Sequence, residues 1–403
     1  MIRFKNPPRW FIALLLLVTS HIPLAAAPRN LFTEQLGKSK SEIDAKIDAA
    51  WKQLFYGNDE AQRVYYPVAG EMAYVADIAS NDVRSEGMSY GMMIAVQLDK
   101  RAEFDRIWKW AKTHMYHADG PRRGYFAWHC RYDGTQIDPG SASDGEEWFA
   151  MALLFAANRW GSGEGIFNYA IEAQSVLDAM RRGDRGNGLT AIFDATHKQV
   201  VFAPTKEAAT FTDPSYHLPA FYELWARWDR SEDGRRFWAE CVKASRAFFR
   251  RAAHPKTGLM PEYAEFDGSP RPKEKGDFRY DAWRTIANVA VDHTWFGRDP
   301  WQTEQANRVL TFLGQQGSSC PNQFTLDGKP LSKNSSSGLF AMAAVGALAA
   351  DQKTGLPFVQ RLWEMPIPSG RYRYYDGLLY FLALLQVSGR FEIIEPVKTP
   401  NVP

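Results

Sequence analysis

Apolar and polar positions along the chain fall into twelve segments of helical periodicity. They lie near residues 41–56, 86–98, 101–116, 144–159, 164–181, 214–228, 231–252, 281–296, 299–315, 337–350, 354–363 and 374–388. Their texture alternates. Even members are apolar on nearly every side, as in Leu339-Phe340-Ala341-Met342-Ala343-Ala344-Val345, and a helix without a polar face has to be buried all round. Odd members are amphipathic. Phe237, Trp238, Cys241, Val242 and Phe248 interleave with Arg235, Arg236, Glu240, Lys243 and Arg250, so one face meets solvent. Two concentric rings of helices satisfy both textures, which predicts an all-α (α/α)6 barrel with six inner and six outer helices.

The connections agree with that topology. Those after inner helices are short, such as Asp229-Arg230, whereas those before them run over about 57–85, 118–143, 182–213, 254–280 and 316–336. Long connections in a compact domain usually carry function. All five fall at one end, above the starts of the inner helices. Six polar motifs open those helices there: Arg84-Ser85-Glu86-Gly87-Met88-Ser89-Tyr90, Ser143-Asp144-Gly145-Glu146, Asp213-Pro214-Ser215-Tyr216, Tyr280-Asp281-Ala282-Trp283-Arg284, Ser335-Ser336-Ser337-Gly338 and Tyr374-Tyr375-Asp376-Gly377. The absence of a fixed-period repeat argues against a two-domain helical solenoid.

The first segment departs from this pattern. Arg3, Lys5 and Arg9 precede an apolar run from Trp10 to Val18, and Ala25-Ala26-Ala27 follow. That order is expected of a signal peptide over 1–27, leaving a single catalytic domain over 28–403 for the periplasm or the medium. The apolar run is short for a bilayer span, and no Cys lies near the cut to carry a lipid, so no membrane anchor is expected after cleavage.

Composition narrows the function. A net charge of +2 in 403 residues, without a long basic run, gives no reason to expect nucleic acid as a partner. Aromatics reach 14% of the chain, a surplus suited to stacking on the apolar C–H faces of sugars. Cys130, Cys241 and Cys320 are too widely spaced for a metal motif and read as buried thiols. Asp77 and Asp82 resemble metal ligands only loosely, since calcium loops need denser spacing.

Carboxylates and aromatics gathered at one mouth suit glycoside hydrolysis, which needs one carboxylic acid to protonate the leaving oxygen. In inverting enzymes a second carboxylate activates water on the opposite face, about 6.5–9.5 Å away. Glu86 is the candidate acid, with Met88, Met92 and Met93 making its surroundings apolar enough to raise its pKa. Asp281 is the candidate base, at the start of a buried segment, and Arg284 three residues on is placed to pair with it. Each acid taken singly also suits an ordinary helix start. Only a closed ring brings such remote positions together.

These motifs resemble glycoside hydrolase family 8. The similarity is carried by Asn81-Asp82-Val83-Arg84-Ser85-Glu86-Gly87-Met88-Ser89-Tyr90-Gly91-Met92, Gly124-Tyr125-Phe126-Ala127-Trp128, Ala142-Ser143-Asp144-Gly145-Glu146, Asp213-Pro214-Ser215-Tyr216-His217-Leu218-Pro219 and Arg371-Tyr372-Arg373-Tyr374-Tyr375-Asp376-Gly377. It runs from about residue 40 to 390 and is greatest towards the xylan-acting branch, particularly reducing-end xylose-releasing exo-oligoxylanases. The resemblance implies an (α/α)6 barrel and an inverting mechanism with no cofactor and no metal. It gives Glu86 the acid role and Asp281 the base role. Asp144 takes the place of the residue that grips and distorts the sugar, Tyr216 that of the tyrosine holding the attacking water, and Trp128 that of a glycone-side aromatic. Arg84, Arg284 and Tyr375 complete the expected substrate-binding set, the partner is xylan or xylo-oligosaccharide, and a monomer is expected.

One departure bears on the mode of action. Exo-acting members carry a Leu-His-Pro loop that blocks the cleft beyond one leaving xylose. The equivalent stretch here, Leu331-Ser332-Lys333-Asn334-Ser335-Ser336-Ser337-Gly338, has neither His nor Pro. Internal cleavage is therefore the expectation, with exo-oligoxylanase action as the alternative. A non-catalytic carbohydrate-binding ring is disfavoured because both acids are present. A polysaccharide lyase is disfavoured because no dense Arg/Lys cluster accompanies the motifs.

Overall fold

Six of the thirteen α-helices described start at a residue whose side chain accepts one of the first unpaired N–H groups. The computed structural model describes residues 28–183, 185–271, 275–297 and 299–397. The expected signal peptide lies outside these residues. Asn30 caps a short helix, α1 (Leu31–Leu36), that periodicity does not reveal, and a capping box of Ser39 and Glu42 opens α2 (Lys40–Tyr56).

Eleven further α-helices follow among the described residues. They are α3 (Ser85–Gln97), α4 (Arg101–Trp110), α5 (Ser143–Trp160), α6 (Tyr169–Arg181), α7 (Pro219–Trp228), α8 (Glu232–Ala252), α9 (Arg284–Phe296), α10 (Pro300–Gln315), α11 (Ser337–Gly346), α12 (Gln352–Glu364) and α13 (Arg373–Val387). The odd helices α3 to α13 form the inner ring of an (α/α)6 barrel, and α2, α4, α6, α8, α10 and α12 form the outer one. Contacts close the inner ring all the way round. Tyr90 of α3 meets Trp148 of α5 edge-on with centroids 4.7 Å apart, and Trp148 meets Phe221 of α7 at 4.9 Å. Phe221 stacks on Trp295 of α9 at 6.1 Å. Small residues then take over. A Cβ on Gly346 of α11 would lie 2.8 Å from Ile286 of α9, and one on Gly87 of α3 would lie 2.4 Å from the Tyr374 ring of α13.

Three expected helices begin three or more residues later than periodicity suggests, the one expected from 281 because the 3-10 turn Tyr280–Trp283 leads into α9 at Arg284. The segment expected from 214 splits into a 3-10 turn, Pro214–Tyr216, and α7, which starts at Pro219 because proline suits the first helical turn. The segment expected from 164 holds a 3-10 turn at Gly165–Phe167, and α6 begins only after Asn168 accepts the Ile171 N–H.

The long connections before α3 and α5 are not plain loops. They build an antiparallel sheet in the order β1 (Tyr65–Val68), β2 (Met72–Asp77), β3 (Asp82–Arg84), β4 (His129–Cys130) and β5 (Gln136–Asp138). Strands this short carry too few alternating positions to show in the sequence. β3 runs directly into α3, and Asp77, Arg84 and Asp138 of the sheet line the cavity at the end where the inner helices start. Cys130, Cys241 and Cys320 are buried and unpaired. Among the described residues no helix is long and apolar enough to cross a membrane.

Candidate active site

The sheet fixes the position of the first acid. Arg84 of β3 pairs with His129 of β4, and the Ser85 N–H donates to the Trp128 carbonyl at 3.0 Å immediately before α3 turns inward. Glu86 therefore sits in the first turn of α3 with its side chain 17% exposed. Gly145 of α5 faces Ser85, and a Cβ there would lie 2.5 Å from the Ser85 hydroxyl oxygen. Glycine thus lets the starts of α3 and α5 approach, which sets Asp144 beside Glu86.

One guanidinium joins the carboxylates. Arg284, 4% exposed at the start of α9, donates through Nη1 to Glu86 Oε2 at 2.8 Å, to the Tyr90 hydroxyl at 2.8 Å and to Asp144 Oδ2 at 2.9 Å. Its Nη2 donates to the Ser215 hydroxyl at 2.9 Å and lies 3.4 Å from Asp281 Oδ1. Asp281 is held on the 3-10 turn Tyr280–Trp283 that leads into α9, and the Tyr375 hydroxyl donates to the same oxygen at 3.4 Å. The two Nη atoms of a rigid guanidinium are about 2.3 Å apart, so Glu86 Oε2 and Asp281 Oδ1 lie within about 8.5 Å of each other. Residues separated by almost two hundred positions thus come within one pyranose of each other.

Burial and charge set the protonation states. Burial pushes the Glu86 carboxyl up to about 7, opposed by Arg284 and reinforced by Asp144 and Asp281. Burial also raises Asp144, again opposed by Arg284. Asp213 is driven well above the carboxylate range by burial and then by Asp281. One Asp213 oxygen accepts the Ser215 N–H at 2.7 Å, while the other is buried without a partner, as is Asp144 Oδ1. An arginine surrounded by these acids stays charged, and its removal would strand them.

Above this floor opens a cavity of about 680 Å³ lined by Glu86, Asp144, Tyr216, Asp281 and Tyr375, with Trp128 and Arg84 towards the sheet. Seven of the eight expected site residues therefore line one cavity. Tyr216 stacks nearly parallel to Phe202 with centroids 5.9 Å apart. Arg84 lines the wall but is already engaged, 3.1 Å from Asp82 and 3.2 Å from Asp77, while His129 binds Asp82 at 2.8 Å. These bonds account for Asp77 and Asp82.

The eighth, Arg284, is not part of that lining. Its two Nη groups are drawn among buried acceptors, while its Nε is buried without a partner. Its donors meet the acids at the floor of the cleft. Four other residues escaped sequence reasoning, namely Tyr90, Asp213, Ser215 and Tyr374, whose hydroxyl donates to Glu86 Oε1 at 3.2 Å. All four belong to the six opening motifs, so the signal was present without distinguishing their roles.

Residues 64–389 match the sequence profile described as glycosyl hydrolases family 8. The chain belongs to this family. It is a glycoside hydrolase of the xylanase type, and family 8 relatives align along nearly its whole length. A reducing-end xylose-releasing exo-oligoxylanase, Rex8A of Paenibacillus barcinonensis, is 46% identical over 90% of this chain and 96% of its own. A second, from Halalkalibacterium halodurans, is 43% identical over 91% of this chain and 95% of its own. Among solved structures, a family 8 protein of Teredinibacter turnerae in complex with xylobiose is 47% identical, covering 92% of this chain and 98% of that one with a TM-score of 0.88.

Proposed function

We propose that this family 8 enzyme hydrolyses β-xylosidic linkages in xylan and xylo-oligosaccharides with inversion at the anomeric carbon. The observation that carries the reading is the pair of acids, Glu86 and Asp281, held on opposite sides of one buried guanidinium within a sugar's width. Glu86 is the acid. Because Arg284 donates to Oε2, the acidic proton belongs on Oε1, which receives only a 3.2 Å bond from Tyr374. Asp281 is the base. It removes a proton from a water held with the help of Tyr216. The remaining hydroxide bonds to the anomeric carbon from the opposite face as the glycosidic C–O bond breaks, and the departing oxygen takes the Glu86 proton. Asp144 grips the sugar at the cleavage point, and Trp128 supplies a stacking surface on the glycone side.

For mode of action, the names of the two curated relatives favour release of single xylose units from the reducing end over internal cleavage. Internal cleavage retains one specific observation in its support. The segment 331–338, which lacks His and Pro, contributes nothing to the cavity lining. Products of xylohexaose separate the two. Xylose and xylopentaose as the sole first products mean exo action, and an early spread of xylobiose to xylotetraose means internal cleavage. No xylose-containing product at all would overturn the substrate assignment. We further propose export of the enzyme, on the pattern of residues 1–27, and action as a monomer.

A further inference from the structure

Among the described residues three cationic side chains line the cavity, and two of them are neutralised by neighbours. Arg84 is bound by Asp77 and Asp82, as described above, and Lys275 lies 3.3 Å from Glu262. Arg122 has no carboxylate within ion-pair distance among the described residues, and its Nε is buried without a hydrogen-bond partner. It is half-buried on the hairpin that precedes Trp128, where the Arg122 carbonyl accepts the Tyr125 N–H at 2.9 Å. Two further arginines lie nearby. Arg185 stacks 3.7 Å over the Tyr125 ring and donates to the Arg123 carbonyl at 2.7 Å. Burial, and then Arg182, lower the pKa of Arg185, opposed by Tyr125 and Glu146. Asp138 also lines the wall, with its carboxylate accepting the Gly140 N–H at 2.8 Å and forming no ion pair with Arg122. Neutral sugar hydroxyls give no reason to leave a guanidinium on the wall without an ion-pair partner, whereas a carboxylate matches its planar donor fork.

We propose that Arg122 is a specificity-determining residue that binds the carboxylate of a uronic acid branch on the xylan backbone, so that the enzyme accepts acidic, glucuronate-bearing xylo-oligosaccharides. This rests on the xylan reading of the site and names the decoration it recognises. The bond is an ion pair at the cleft wall, so it contributes to substrate binding and is weakened by salt.

The test uses a matched pair of substrates, glucuronate-bearing xylo-oligosaccharides and the same oligosaccharides after reduction of each uronate to the neutral sugar. For the full enzyme, kcat/KM is measured on both, at low and at high ionic strength. The acidic-to-neutral ratio is expected to fall about tenfold or more in Arg122→Met, which keeps the buried stem, and to fall less in Arg122→Lys, which keeps the charge without the planar fork. Salt should lower the wild-type ratio and leave that of Arg122→Met flat. An unchanged ratio in Arg122→Met, or equal losses on both substrates, would overturn the proposal while the xylan reading stands. Wild-type enzyme that cleaves neither substrate would instead sink the xylan reading itself.

Discussion

Replacing Glu86 by Gln preserves the shape of the side chain and fixes it in the neutral state, so it separates two consequences of the raised pKa. The first is stability. A carboxyl moved from 4.5 to about 7 on folding binds its proton more tightly in the native state, so the native state is favoured below pH 4.5 and loses that advantage as pH rises to 7. At 1.36 kcal/mol per pKa unit the loss approaches about 3 kcal/mol above pH 7, a ceiling because the side chain keeps some exposure. Glu86→Gln cannot ionise and escapes it. The variant should therefore match wild type at pH 4 and exceed it at pH 8 by up to about 3 kcal/mol, seen as several degrees in Tm. The second consequence is catalysis. Loss of the proton donor should cost about 10²–10⁴-fold in kcat/KM, and the alkaline limb of the wild-type profile should fall near pH 7. Denaturation of both proteins from pH 4 to 9, alongside rates, tests both. Parallel stability curves across that range would refute the argument that burial holds Glu86 protonated.

Two further substitutions test the floor beneath the cleft. Arg284→Met strands Glu86 and Asp144 in a buried site and should cost about 3–5 kcal/mol at pH 8. Because acid neutralises those carboxylates, the loss should shrink towards pH 4; a pH-independent loss in urea titrations would contradict this. Gly87→Ala places a methyl group 2.4 Å from the Tyr374 ring. Overpacking of about 1–3 kcal/mol should follow. Displacing the Tyr374 hydroxyl from Glu86 should also shift the alkaline limb of the pH–rate profile, and an unmoved profile would show that Tyr374 does not tune the acid.

The twelve long helices were legible because each carries helical texture over ten or more residues, and the contrast between all-apolar α11 and amphipathic α8 distinguishes inner from outer positions. The convergence of the opening motifs was legible too, since a ring with short return connections leaves them one mouth to share. Local chemistry that spans few residues was not. The strands β3 and β4, which aim Glu86, are three and two residues long, and the cap at Asn30 serves a helix of six. Arg284 shows where sequence stops. In sequence it is a cation beside a candidate base, and only the three-dimensional closure of α3, α5 and α9 reveals that buried acceptors surround it. Asp376 is a similar case. It accepts from Ser336, Ser337 and the Gly338 N–H, so the last two motifs bind one another and brace the starts of α11 and α13.

The central claim is that two opposed carboxyl groups act on the two faces of one sugar without a covalent intermediate. Proton NMR of xylohexaose hydrolysis in its first minutes, before mutarotation, tests this most directly. The account predicts that the newly formed reducing end appears first as the α-anomer, and first appearance as the β-anomer would contradict it.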